Sequence, residues 1–101
     1  VIGDFNNSIV WDKPKSSLTF QKAVEKFEAF GMFSAYHKSS NENFGDETKA
    51  TLYHTKKQEK TYHIDYMFTR KNASVEIGKY EDWIQYSDHM PLVINLSNES
   101  I

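Results

Sequence analysis

No cysteine occurs among the 101 residues, which excludes a disulfide framework and a thiolate metal site and leaves the redox compartment open. Long apolar runs are missing too. None approaches the about 20 residues a membrane-spanning helix needs, and the first residues show no basic segment followed by an apolar stretch and a cleavage site. A strong excess of one charge is also absent: the formal net charge of −2 argues against a surface that holds nucleic acid by bulk attraction alone, while leaving room for a local patch. Neither an internal repeat nor a linker divides the chain.

What is present is 39% hydrophobic and 15% aromatic content, enough for one small globular domain over residues 1–101. So short a chain buries a smaller share of its surface than a larger one, which predicts a need for a partner. The sequence begins at Val1 inside what reads as a buried strand, the pattern of a fragment, so any targeting signal would lie upstream and location is left open.

Turn chemistry at Asn6-Asn7-Ser8 ends the opening strand. Ser16 or Ser17 then offers an N-cap, Phe20, Val24, Phe27 and Phe30 recur at helical spacing, and Gly31 supplies the stop, predicting one amphipathic helix over a sheet. Lys38 to Lys49 is polar and reads as an exposed loop. Thr51 to Thr55 and Thr61 to Thr69 read as strands around a charged hairpin tip, Lys56 to Lys60. Val75 to Ile77 is a short strand, Tyr80 to Tyr86 a connection, and Leu92 to Leu96 a final strand stopped by polar residues. The expected fold is α/β, a mostly antiparallel sheet with a helix on one face. Ile64, Tyr66, Phe68, Val93 and Ile94 would line the other face, which then needs a second layer.

Three clusters carry the chemistry. Gly3-Asp4-Phe5-Asn6 sets Asp4 and Asn6 two apart at a strand end, aimed to one side by the period of two. A carboxylate there can orient water or bind a cation, and a neutral amide can donate to an anionic oxygen; equally, both residues can serve as ordinary turn caps. Asp65 interrupts the strand pattern Tyr62-His63-Ile64-Asp65-Tyr66-Met67-Phe68, where aspartate is depleted; it either faces water at a sheet edge or has a hydrogen-bonding cation or imidazolium as partner. His63 reads as a surface or flanking residue. Ser87-Asp88-His89 precedes Pro91 and the last strand, so Asp88 can reach a hard cation while His89 faces a reacting group, unless the tripeptide is a plain turn. Lys56, Lys57 and Lys60 read as a solvated tip interrupted by Glu59. Trp11, Tyr53 and Tyr62 either stack on a base or headgroup or belong to the core, and His37 and His54 lack carboxylate neighbours at metal-ligand spacing, which gives them structural roles.

In this order, the three clusters resemble the endonuclease/exonuclease/phosphatase superfamily, the metal-dependent phosphoesterases related to DNase I and exonuclease III. The likeness covers nearly the whole chain as the C-terminal half of that domain, through Val1 to Asn6, Tyr62 to Phe68 and Ser87 to Leu92. Ser34-Ala35-Tyr36-His37 and Thr51-Leu52-Tyr53-His54 resemble bacterial members. The resemblance implies a DNase I-like four-layer α/β sandwich of two pseudo-symmetric halves, of which this chain supplies the second.

The same resemblance implies the roles. Asp4 would orient or deprotonate the attacking water, and Asn6 would stabilise the phosphorus transition state and contact substrate; apart from the resemblance, Tyr62 is a further candidate substrate contact as an aromatic stacking surface. Asp65 would hydrogen-bond His89 and raise its pKa, Asp88 would contribute to an Mg²⁺ or Mn²⁺ site, and His89 would act on the scissile phosphate as general base or charged stabiliser. Family members draw a metal-binding glutamate, an asparagine and a histidine or tyrosine from the other half. The fragment alone is therefore expected to bind Mg²⁺ weakly, to be inactive, and to form a homodimer or pair with its N-terminal half. Abasic-site nucleases place arginine where this chain has His63, which weighs against DNA repair. The substrate is a phosphate ester: nucleic acid, or a phosphorylated small molecule or lipid headgroup. The alternative is a non-catalytic structural or interaction module retaining the fold.

Overall fold

In a computed structural model, residues 1–100 are described, the side chain of Ser100 excepted. The chain is mixed α/β with short helices and wholly antiparallel pairing, divided among several sheets rather than gathered into one. Strand β1 (Ile2–Asp4) leads through a 3-10 turn at Ile9–Trp11 to helix α1 (Phe20–Ala29) and strand β2 (Phe33–Ser34). Helix α2 (Ala35–Ser40), strand β3 (Leu52–Tyr53), strand β4 (Thr61–Tyr62) and strand β5 (Asp65–Thr69) follow. Strand β6 (Lys71–Ile77), helix α3 (Tyr80–Trp83) and strand β7 (Leu92–Ser100) complete the order. The central sheet runs β1-β5-β2, with β3-β4 and β6-β7 as separate pairs. No described helix is long and apolar enough to cross a membrane.

Helix α1 begins later than Ser16 or Ser17. Thr19 caps it, and both carboxylate oxygens of Asp12 accept from the N–H groups of Phe20 and Gln21 at 2.7 and 2.9 Å, an anion seated where the helix dipole is positive. Ser16 turns instead to Leu18. Gly31, in the left-handed region at φ 75°, ends the helix as expected, and its N–H donates to the carbonyl of Glu28. Phe20 and Val24 are buried and Phe27 packs beside them, but Phe30 lies past the last turn and faces water.

The core meets this helix at Tyr66 and Phe68, which places these two on the covered face of β5 rather than the opposite one. The registers Ile2↔Met67 and Asp4↔Asp65 put those four side chains together on the outward face, with Phe33 beside Thr69. Val1 and Ile2, expected to be buried, are exposed. In the β6-β7 hairpin, Ala73↔Leu96, Val75↔Ile94 and Ile77↔Leu92 share one face, while Val93 shares the other with Glu76 and is exposed.

The stretch expected to loop from Lys38 starts instead inside α2, because Ser34 caps that helix and Asn41, at φ 57°, closes it. The rest of the segment folds back onto the body through Glu47. His37 Nε2–H donates to Glu47 Oε2 at 2.6 Å, both side chains being buried, so His37 does have a carboxylate partner, ten residues on. Burial alone would raise the Glu47 pKa; hydrogen bonds from His37 and the Gly45 N–H outweigh it and hold the carboxyl below its ordinary value.

Candidate functional site

Strands β1 and β5 set Asp4 directly opposite Asp65. Beyond Asp4 the chain turns, because Asp4 Oδ1 accepts from the N–H of Asn6 at 2.8 Å while Asn6 takes a left-handed φ of 48°. The capping role and a functional role therefore coexist: one oxygen of Asp4 fixes the turn, and the other, Oδ2, lies 3.7 Å from His89 Nε2. That separation is a charge contact rather than a hydrogen bond.

His89 arrives from the segment between α3 and β7. Its own N–H donates to Ser87 Oγ at 3.0 Å, and it forms an isolated antiparallel bridge with Leu52 of β3. Its Nδ1–H donates to Asp65 Oδ2 at 2.9 Å, which fixes the tautomer and leaves Nε2 as the outward-facing nitrogen. Asp65 is thus partnered by an imidazole and is not a water-facing edge residue. Partial burial disfavours the imidazolium, but the Asp65 hydrogen bond and the charges of Asp65, Asp4 and Asp88 outweigh it, so the His89 pKa is raised above its ordinary value.

Thr51, which sequence reasoning passed over, ties this arrangement together. It is fully buried; its Oγ1 accepts from the N–H groups of Ile64 at 2.9 Å and Asp65 at 3.2 Å. Its carbonyl accepts from Met90 N–H at 2.7 Å, and its N–H donates to Tyr62 at 2.9 Å. One residue thereby fixes the segments that carry Asp65 and His89. Only a threonine opening a strand pattern marked it in the sequence, and that is too common a signal to find it by.

Asp4, Asp65 and His89 converge, their donor atoms within 4.8 Å of one another, and Asn6 is tied to Asp4 through its backbone N–H. Asp88 is not in this cluster. Its carbonyl accepts from Tyr53 N–H at 2.8 Å, and its carboxylate acts on His89 through charge. For a hard cation, the oxygens of Asp4 and Asp88 suit Mg²⁺ in kind, whereas Asp65 Oδ2 is engaged by His89. Two carboxylates are few for an ion that gives up water reluctantly.

His63 is buried, contrary to its reading as a surface residue. His63 and Ile64 lie between β4 and β5, where the alternation breaks and both turn inward among Tyr36, His37 and Tyr66. Its Nδ1–H donates to the carbonyl of Lys49, and burial pushes its pKa down, so the ring is neutral. Lys56, Lys57 and Lys60 are exposed at the hairpin tip, and His54 is exposed beside them. Comparison with known protein families, with curated proteins and with solved structures finds no match.

Proposed function

We propose that this chain is the C-terminal half of a divalent-metal-dependent phosphoesterase domain of the endonuclease/exonuclease/phosphatase superfamily, with the DNase I-like four-layer sandwich completed by another half. The observation that carries this reading is the 2.9 Å hydrogen bond from His89 Nδ1 to Asp65, with Asp4 facing Nε2 at 3.7 Å. Three motifs far apart in the sequence meet with the imidazole oriented by one carboxylate and its free nitrogen beside another, an arrangement a set of unrelated turns would not need.

Hydrolysis of a phosphate ester gains chiefly from positioning and from neutralising developing charge. Asp4, half exposed at the strand end, orients or deprotonates the attacking water. Asn6 donates to a non-bridging oxygen. Asp65 holds the ring of His89, and the raised pKa favours its charged form, which stabilises the phosphorane or supplies a proton. Asp88 is the metal-side carboxylate; Mg²⁺ or Mn²⁺, when bound with ligands from the other half, supplies charge neutralisation at the phosphate. The outward face of β1 and β5, with Ile2 at 63% exposure beside Met67, supports pairing with that half or with a second copy of this chain.

The test is a metal-dependent hydrolysis panel on the full-length parent, spanning DNA, RNA, inositol phosphates and sphingomyelin. Turnover of one class under Mg²⁺ or Mn²⁺, lost in His89→Ala and sharply reduced in Asp65→Asn, is expected. A parent inert toward all four, or turnover indifferent to His89→Ala, would leave the non-catalytic interaction module as the better description.

A further inference from the structure

Two aromatic residues near the site, Trp11 and Tyr62, stand outside the core cluster. Trp11 is 43% exposed, and its ring lies 5.1 Å from that of Tyr62, tilted by 52°, with Tyr62 itself only half-buried. Both come from segments that carry site residues: Trp11 from the 3-10 turn that follows Asp4 and Asn6, and Tyr62 from the strand immediately before Asp65.

Register places the pair relative to His89. Tyr62 is the cross-strand partner of Leu52, and Leu52 is in turn the bridge partner of His89, so all three side chains project from the same side of adjacent backbone segments. Two strand spacings separate Tyr62 from His89, roughly 10 Å. That is within reach of a ring joined through a sugar to a phosphate at His89. Beside Tyr62 opens a cavity of about 300 Å³, lined also by Tyr53, Thr61, Glu47, Lys49 and His63.

We propose, building on the phosphoesterase reading, that Trp11 and Tyr62 form a platform for the purine or pyrimidine ring of a nucleotide whose phosphate sits at His89. Paired aromatic faces on the side of the strands that carries His89 suit a planar heterocycle, which stacks through its π-face. Inositol has no π-face to stack. A quaternary ammonium headgroup also favours aromatic surfaces, and phosphocholine is therefore an arm of the test.

Chemical-shift titration of this chain tests the proposal without relying on turnover. Adenosine 5′-monophosphate is expected to bind roughly tenfold more tightly than ribose 5-phosphate. Trp11→Ala and Tyr62→Ala should each bring it down to the ribose 5-phosphate level, with ribose 5-phosphate unaffected and Tyr62→Phe retaining the advantage. Should Tyr62→Ala fail to fold, Trp11→Ala at the exposed side of the pair carries the same comparison. Equal affinity for the two phosphates, tighter binding of phosphocholine, or an advantage that survives Trp11→Ala would overturn the platform. If adenosine binds as well as its monophosphate and His89→Ala changes nothing, the phosphoesterase reading falls while the platform stands. A dinucleoside monophosphate binding more tightly than the mononucleotide identifies a polynucleotide as the source of the ring; equal affinity identifies a free nucleotide.

Discussion

Replacing Thr51 with valine keeps the shape of the side chain and deletes one oxygen. That oxygen is the acceptor for the N–H groups of Ile64 and Asp65, in a residue with no exposed surface. Leaving a buried donor unpaired costs about 1–3 kcal/mol. The Ile64 N–H, at 2.9 Å in a residue 1% exposed, takes the upper part of that range, and the Asp65 N–H, longer at 3.2 Å and half-buried, the lower part. The sum is about 2–4 kcal/mol, a large part of the roughly 5–15 kcal/mol that stabilises an ordinary domain. With a urea m-value of about 1–2 kcal/mol/M for a chain of this size, the unfolding midpoint should fall by roughly 2 M. Thr51→Ser keeps the acceptor and loses one methyl group, about 1 kcal/mol. A Thr51→Val variant within about 0.5 kcal/mol of the parent chain, or Thr51→Ser as damaging as Thr51→Val, would refute the assignment of these hydrogen bonds to the stability of the site. The same variant frees the backbone of Asp65, so the His89 pKa should drift back toward its ordinary value in an imidazole NMR titration.

Asp65→Asn removes the charge that holds the His89 pKa up, and its imidazole should titrate at lower pH than in the parent chain. Because the folded-state pKa of His89 is raised, its contribution to stability is complete below the unfolded value of about 6.5 and lost as pH rises through the folded value. Denaturation midpoints across that window should therefore decline in the parent chain and stay flatter in Asp65→Asn. Glu47, whose pKa is lowered, contributes in the opposite window: its stabilisation is present above about 4.5 and lost as pH falls through the folded value. Glu47→Leu leaves the buried His37 Nε2–H and the Gly45 N–H without their acceptor, and calorimetry should show a loss of about 3 kcal/mol. Phe68→Ala, at 0% exposure and stacked on Phe27 at 4.3 Å, should lower stability by about 3–5 kcal/mol in the same experiment, whereas Phe30→Ala, exposed just past the end of α1, should change it by less than about 0.5 kcal/mol.

The contrast between Phe68 and Phe30 shows where local pattern ends. Spacing placed Phe20, Val24, Phe27 and Phe30 on one helix, and Gly31 located its end, because propensity and capping act over a few residues. The start was misplaced because Asp12, eight residues ahead of Phe20, supplies the second cap only once the intervening turn has folded. His63 was misread for the same kind of reason, and the partner of His37, in its expected structural role, lay beyond any spacing argument. The burial of the two histidines depends on a break in strand alternation at His63 and Ile64, and on a segment that swings Glu47 back over α2.

By itself, the sequence determined the mixed α/β character, the hairpin with its charged tip, and the presence of carboxylates and a histidine where strands end, all consequences of short-range periodicity and of the cost of placing charge in a strand. Only the tertiary structure decided which face of β5 is covered by α1, that Asp88 stays outside the cluster in which Asp65 meets His89 as the resemblance implied, and that Thr51 joins their two segments. Those outcomes rest on strand register and on hydrogen bonds between residues 14 to 24 positions apart. A one-residue slip in pairing would have sent Asp65 into the aromatic core and Tyr66 out to solvent, a cost that acts only once α1 covers one face of β5.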